Sequence, residues 1–144
     1  MRLLLALSMI GVIAQPVFAD AADDVSVRIA VEGVDEGTKP RIELGESFTV
    51  VLTVERPPGT QVFAPSSPDL NPFKLRGYTP PQNASKQSVE EHRYNLMALR
   101  LGPRRIPRIE ITYRLADGST GAIQTQRMKV FVANHLQNDQ DREL

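Results

Sequence analysis

From Val25 onward, apolar and polar residues alternate with a period of two. Val25, Val27, Ile29 and Val31 interleave with Ser26, Arg28, Ala30 and Glu32, and that period puts one set on a buried strand face. Gly33 to Pro40 carries Gly33, Gly37 and Pro40 and predicts a turn-rich connection. The clearest strand follows. Phe48, Val50, Leu52 and Val54 point one way and Thr49, Val51, Thr53 and Glu55 the other, in the β-branched composition that a pleated, half-buried surface favours. Pro57-Pro58-Gly59 ends it, because proline has no N–H to give to a ladder.

The middle of the chain is rich in proline, with Pro65, Pro68, Pro72, Pro80 and Pro81. Apolar pieces survive at Val62-Phe63 and from Phe73 to Tyr78 and predict short, irregular or edge strands. Phe63, Leu70, Phe73, Leu75 and Tyr78 supply too much apolar surface for simple disorder. After a polar stretch at Asn83 to Gln87, a long strand is predicted from about Val89 to Leu101. Tyr94, Leu96 and Ala98 share one face of it, and Met97, Leu99 and Leu101 the other. Two apolar faces fit a central strand or a face-swapping bulge, with a helix as the competing reading.

Gly102-Pro103 is expected to stop that element. Ile109, Ile111, Tyr113 and Leu115 then alternate with Glu110, Thr112 and Arg114. Asp117-Gly118 is a strong hairpin signal. A last strand is predicted from Ala122 to Val132, with Met128, Val130 and Val132 inward and Arg127, Lys129 and Phe131 outward. The sum is an all-β chain: an immunoglobulin-like antiparallel β-sandwich of about seven strands over residues 25–133. A closed barrel fits the proline-rich middle less well.

The two ends read differently. Arg2 precedes an apolar run from Leu3 to Ala14, and Val17-Phe18-Ala19 supplies small residues before Asp20. That is the layout of a secretory signal peptide over residues 1–19, cut between Ala19 and Asp20. The run is shorter than the roughly 20 apolar residues that span a bilayer. Residues 20–24 form a small acidic leader, and residues 134–144 a polar tail. No second long apolar segment follows, so the exported chain is expected in the periplasm or secreted, without stable membrane insertion.

There is no cysteine, which excludes both a lipid-modified N-terminus and disulfides. The fold must rest on its hydrophobic core, which a chain of 144 residues is long enough to build. The 17 basic and 17 acidic residues balance, which argues against nucleic acid or an anionic membrane as the main partner.

Candidate chemistry is sparse. The histidines are His92 and His135, too few for a zinc site, so metal and other cofactors are not expected. No glycine-flanked nucleophile elbow accompanies them, and no residue stands out as catalytic. His92 is expected as a satisfied surface histidine. Glu90 and Glu91, adjacent in a strand, are expected as solvated charges on opposite sides. The suggestive charged feature is Arg100, Arg104, Arg105 and Arg108 around the Gly-Pro turn. They read as a solvated turn, or as a dock for an acidic partner or a phosphate-bearing group.

With the strands in place, certain segments become recognisable in their order and spacing. They are Leu44 to Val50, Pro68 to Phe73, Arg93 to Leu96, Leu101-Gly102-Pro103 and Ile106 to Tyr113. Glycine at Gly45 suits a positive-φ approach to the central strand. Ile106-Pro107 suits a strand's beginning, and Tyr94 would hold its ring in the core with its hydroxyl at a rim partner. In this series the chain resembles the N-terminal immunoglobulin-like repeats of BatD-like oxygen-tolerance proteins, from about Val25 to Val132. The sequence holds one such repeat. The resemblance implies an extracytoplasmic interaction module. Members are typically membrane-anchored and encoded with MoxR-type ATPases and von Willebrand A-domain proteins, so the implied partner is another envelope protein, von Willebrand A-domain proteins among the candidates.

The expectation is therefore an exported, non-enzymatic protein-binding module. Its candidate surfaces are the arginine cluster and the edge strands carrying Phe63, Phe73 and Tyr78, which could accept a partner strand. The alternative is a sandwich that binds carbohydrate or another small ligand, with the same three aromatics as its stacking surface.

Overall fold

The computed structural model describes residues 25–35, 37–82 and 88–134. The expected signal peptide and leader, Asn83 to Gln87, His135 and the rest of the expected tail lie outside them. Ten strand segments follow in order: β1 (Ser26–Val31), β2 (Arg41–Glu43), β3 (Ser47–Glu55), β4 (Gln61–Phe63), β5 (Phe73–Thr79), β6 (Val89–Ala98), β7 (Gly102–Ile106), β8 (Glu110–Arg114), β9 (Thr120–Gln124) and β10 (Met128–Ala133). No helix occurs among the described residues, so no helix there is long and apolar enough to cross a membrane.

One layer is the antiparallel sheet β1-β3-β6-β5. β3 and β6 lie at its centre, each paired on both sides. The expected second apolar face of β6 does not form, because the strand ends at Ala98 and Leu99 and Leu101 lie beyond it, exposed. Their register sets Phe48, Val50, Leu52 and Val54 against Leu96, Tyr94, His92 and Glu90. In β5 the register shifts between Leu75 and Gly77, so that Phe73 faces Ala98, Leu75 faces Leu96 and Tyr78 faces Tyr94. Arg76 is the extra residue of a bulge; were it paired in regular alternation instead, Gly77 rather than Tyr78 would face Tyr94.

The other layer consists of two ladders, β2-β10-β7 and β4-β8-β9. β7 pairs with β10 and β8 with β9, so these four segments trace one long hairpin broken at its middle. Thr125 holds the break together: its amide donates to the Ile109 carbonyl at 3.0 Å, and its Oγ1 accepts from the Ile109 amide at 2.8 Å. At the tip, the Gly118 amide donates to the Leu115 carbonyl at 2.9 Å, the hairpin signalled by Asp117-Gly118. β2 joins β10 as the one parallel pair among the described strands.

A single cluster of buried side chains joins the layers. Val50, Leu52, Tyr94 and Leu96 of one meet Ile42, Ile106, Ile111, Val130 and Val132 of the other. The described residues form an all-β, immunoglobulin-like sandwich. Counting each broken strand once, the ten segments follow eight paths. The additional path is β2, too short at three residues to show a period.

Three expectations need correction. Gly102-Pro103 does not merely stop a strand; it begins β7. Pro103 is tolerated because it faces Phe131, whose amide donates to the Pro40 carbonyl on the far side. Pro103 is thus at a non-hydrogen-bonded position on an edge strand, and its missing N–H would point outward. Ile106-Pro107 closes β7 rather than opening a strand, and the run from Ala122 to Val132 divides at Thr125. Gly45, by contrast, has the positive φ of 82° that its place before β3 suggested.

Candidate functional site

The inward face of β6 changes character along its length. Ala98, Leu96 and Tyr94 are core residues, but the same face continues to His92 and Glu90, only 3% and 4% exposed. His92 is therefore not a surface histidine and Glu90 is not a solvated charge. Glu91, one residue over, is exposed and pairs with Arg93. A buried carboxylate requires partners, and β3 provides one. Past Val54 the same period brings Arg56 inward, and its amide extends the ladder by donating to the Ser88 carbonyl at 2.9 Å.

Arg56 Nε donates to Glu90 Oε2 at 2.6 Å, and its Nη1 donates to the Thr60 carbonyl at 2.8 Å. The turn that presents this carbonyl depends on Gly59. Its φ is 81°, and a Cβ there would stand 3.0 Å from the Ala116 Cβ. His92 Nε2 lies 2.9 Å from the other Glu90 oxygen. Against a carboxylate that nitrogen carries a proton, which leaves Nδ1 to accept, in the neutral ring, from the Tyr78 hydroxyl at 2.9 Å. Tyr78 also stacks on His92 and tilts against Tyr94, with centroids 6.0 and 5.1 Å away. The Tyr94 hydroxyl donates to the Pro65 carbonyl at 2.7 Å, the rim partner its sequence position suggested.

Burial, and then the negative charge of Glu90, push the Tyr78 hydroxyl above its ordinary pKa. Burial does the same more strongly to Tyr94, with Tyr78 adding to it. Carboxylate, imidazole and hydroxyl thus stand in the order used for nucleophile activation, but the hydroxyl is a phenol held neutral. It is suited to giving and taking hydrogen bonds rather than to attack.

This chain floors a cleft of about 720 Å³ between β4 and β5. Val62, Phe63, Ala64, Tyr78, Pro80 and Pro81 wall it, and Phe63 stands at 52% exposure. Thr60 Oγ1, also at the cleft, is buried and has no hydrogen-bond partner among the described residues. Among those residues no group of three or more His, Cys, Asp or Glu side chains could hold a metal ion.

The sequence-predicted candidates divide among several places. Phe63 and Tyr78 share the cleft. Phe73 is core, 5% exposed and edge-on to Phe48 at 5.7 Å; strand alternation turns it inward and removes it from any surface. Arg100 is exposed in the β6–β7 turn, and Arg104 Nε donates to the Leu101 carbonyl at 3.0 Å. Arg105 and Arg108 come together beside Arg127 and Lys129 around a separate hollow. Arg56, Glu90 and His92 were missed, although the period of two ending at Val54 and Tyr94 already pointed all three inward.

Compared with known proteins, the chain matches no family model and no curated protein. What the site can do must be argued from its own geometry.

Proposed function

We propose that this chain is an exported, non-enzymatic module, periplasmic or secreted, that binds another protein of the cell envelope through the cleft between β4 and β5. The observation that carries this is a half-exposed phenylalanine at the mouth of a cleft whose two lips are both edge strands. An edge strand presents unpaired N–H and C=O groups that a partner's extended segment can pair with. An aromatic beside such an edge gives that segment an apolar anchor. The buried Arg56–Glu90–His92–Tyr78 chain holds the floor rigid, so that the cleft is formed before a partner arrives. The resemblance to BatD-like repeats agrees with this role and suggests von Willebrand A-domain proteins as partners to try first.

A second reading is favoured by Thr60. A buried hydroxyl without a partner, beside a polar floor, would suit a carbohydrate or another small polar ligand.

A photo-crosslinking residue at position 63, with a control at the exposed position 30 on β1, separates the two in cells. A protein adduct formed from position 63 and not from position 30 is the expected outcome. Adducts of equal yield from both positions would count against the cleft. Saturable binding of a glycan to the purified protein, with no protein adduct, would favour the second reading.

A further inference from the structure

The four cations that gather at the broken hairpin lie away from the cleft. Arg105 and Lys129 are directly opposed across β7 and β10, where side chains on one face approach closely and like charges repel. Arg108 and Arg127 join them from the two sides of the break, around a hollow of about 390 Å³ that also touches Gln126. Thr125, fully buried and bonded twice to Ile109, fixes the backbone from which Arg108 and Arg127 project. The neighbouring hollows add Lys39 and Arg104 on one side and Arg28 on the other.

No carboxylate of the described residues pairs with Arg105, Arg108, Arg127 or Lys129. The ion pairs there fall elsewhere, as Arg41–Glu43, Arg56–Glu90 and Arg93 with Glu32 and Glu91. Among the described residues, then, these four cations form a concentration of positive charge with no carboxylate beside it, although the chain as a whole carries 17 acidic residues to its 17 basic ones.

We infer that this face docks an acidic peptide segment of a protein partner. The proposal deepens the protein-binding reading by giving the partner's chemistry, and it concerns a different surface from the cleft. Arginine presents a planar fork that fits a carboxylate with two parallel bonds, which three of the four cations can offer. Beside them on the outward face lie Pro103 and Phe131, the latter 37% exposed with Arg41 over its ring at 5.7 Å. A cationic hollow next to an apolar pair matches glutamates or aspartates flanked by an apolar residue. The balanced net charge disfavours a long polyanion, whose capture relies on an overall positive field.

The test uses the full chain and a fluorescent peptide alternating glutamate with leucine, titrated at low and moderate salt. The variant Arg105→Glu/Lys129→Glu is expected to weaken binding by about tenfold or more. Lys74→Glu/Arg76→Glu, which reverses two exposed cations on the other layer, is expected to change it by less than about twofold. Thermal melts of each variant confirm that the fold is retained. Equal losses in both variants would overturn the proposal, as would tighter binding of duplex DNA or phosphatidylglycerol vesicles than of the peptide. Phe63→Ala is carried in parallel and is expected to leave peptide affinity unchanged. Loss there, with none on charge reversal, would move the peptide to the cleft and sink this inference while leaving the cleft reading standing.

Discussion

Replacing Glu90 by leucine tests the buried chain that floors the cleft. Glu90 accepts from Arg56 at 2.6 Å, and its other oxygen lies 2.9 Å from the His92 nitrogen. The arginine and glutamate side chains are 4% and 5% exposed, so solvent screening is slight. Charge-assisted hydrogen bonds contribute about 1.5–3 kcal/mol each. Leucine removes both and leaves Arg56, which cannot shed its proton, without its carboxylate. Breaking a buried pair from one side costs about 3–5 kcal/mol, a large part of the roughly 5–15 kcal/mol that holds a domain together. The double variant Arg56→Met/Glu90→Leu leaves no orphaned charge and is expected to recover at least about 2 kcal/mol of the combined single losses. Urea unfolding followed by circular dichroism reads all four members of the cycle. A Glu90→Leu protein within about 1 kcal/mol of the native one would refute the reasoning, because it would mean the pair is wetter and looser than its geometry implies.

Stability should also fall in alkali. Tyr78 and Tyr94 have raised pKa values in the fold, so the stability they contribute is complete below the ordinary tyrosine value near 10. It is lost as the pH climbs from there towards their folded values, because the unfolded chain ionises first. Tyr94→Phe should flatten that alkaline loss in unfolding curves above pH 10, while lowering stability at neutral pH by about 1–3 kcal/mol through the orphaned Pro65 carbonyl; an unchanged alkaline slope would contradict it. Gly59→Ala forces a positive φ on a residue with a side chain and crowds Ala116, and should cost about 1–3 kcal/mol in the same assay. Asp117 is held below the usual carboxylate range by the Ser119 hydroxyl and amide. Its contribution is present above that range and fades as pH falls, so Ser119→Ala should flatten the acid limb of the stability curve.

How much of this was written in the sequence depends on how far each signal reaches. β1 and β10 were legible because a one-sided burial pattern and a period of two coincide in them. β3 was legible because its period of two from Phe48 to Val54 is clear in the sequence, even though Thr53 on its other face is buried as well. The edge character of β4 and β5 followed from the prolines around them. What failed was a chemical expectation laid over a correct geometric one. Tyr94, Leu96 and Ala98 were assigned inward, and the same alternation run backwards reaches His92 and Glu90, yet charge suggested solvent. The partner that makes burial tolerable, Arg56, lies 34 residues away on a neighbouring strand, and only the register brings it there. The facing of Arg105 by Lys129 likewise exists only in the pairing of β7 with β10. Pro103 concealed β7 because its missing donor reads as a stop unless the edge position is known.

The most direct measurement is the affinity of the partner captured through position 63, purified and titrated against the native protein and Phe63→Ala. A ring 52% exposed contributes little to the fold, so any change reports on binding. If the cleft is the contact surface, truncating its anchor should weaken the complex by at least about tenfold, the range of an aromatic hot spot. A partner that binds both proteins equally well would show that recognition happens elsewhere on the sandwich.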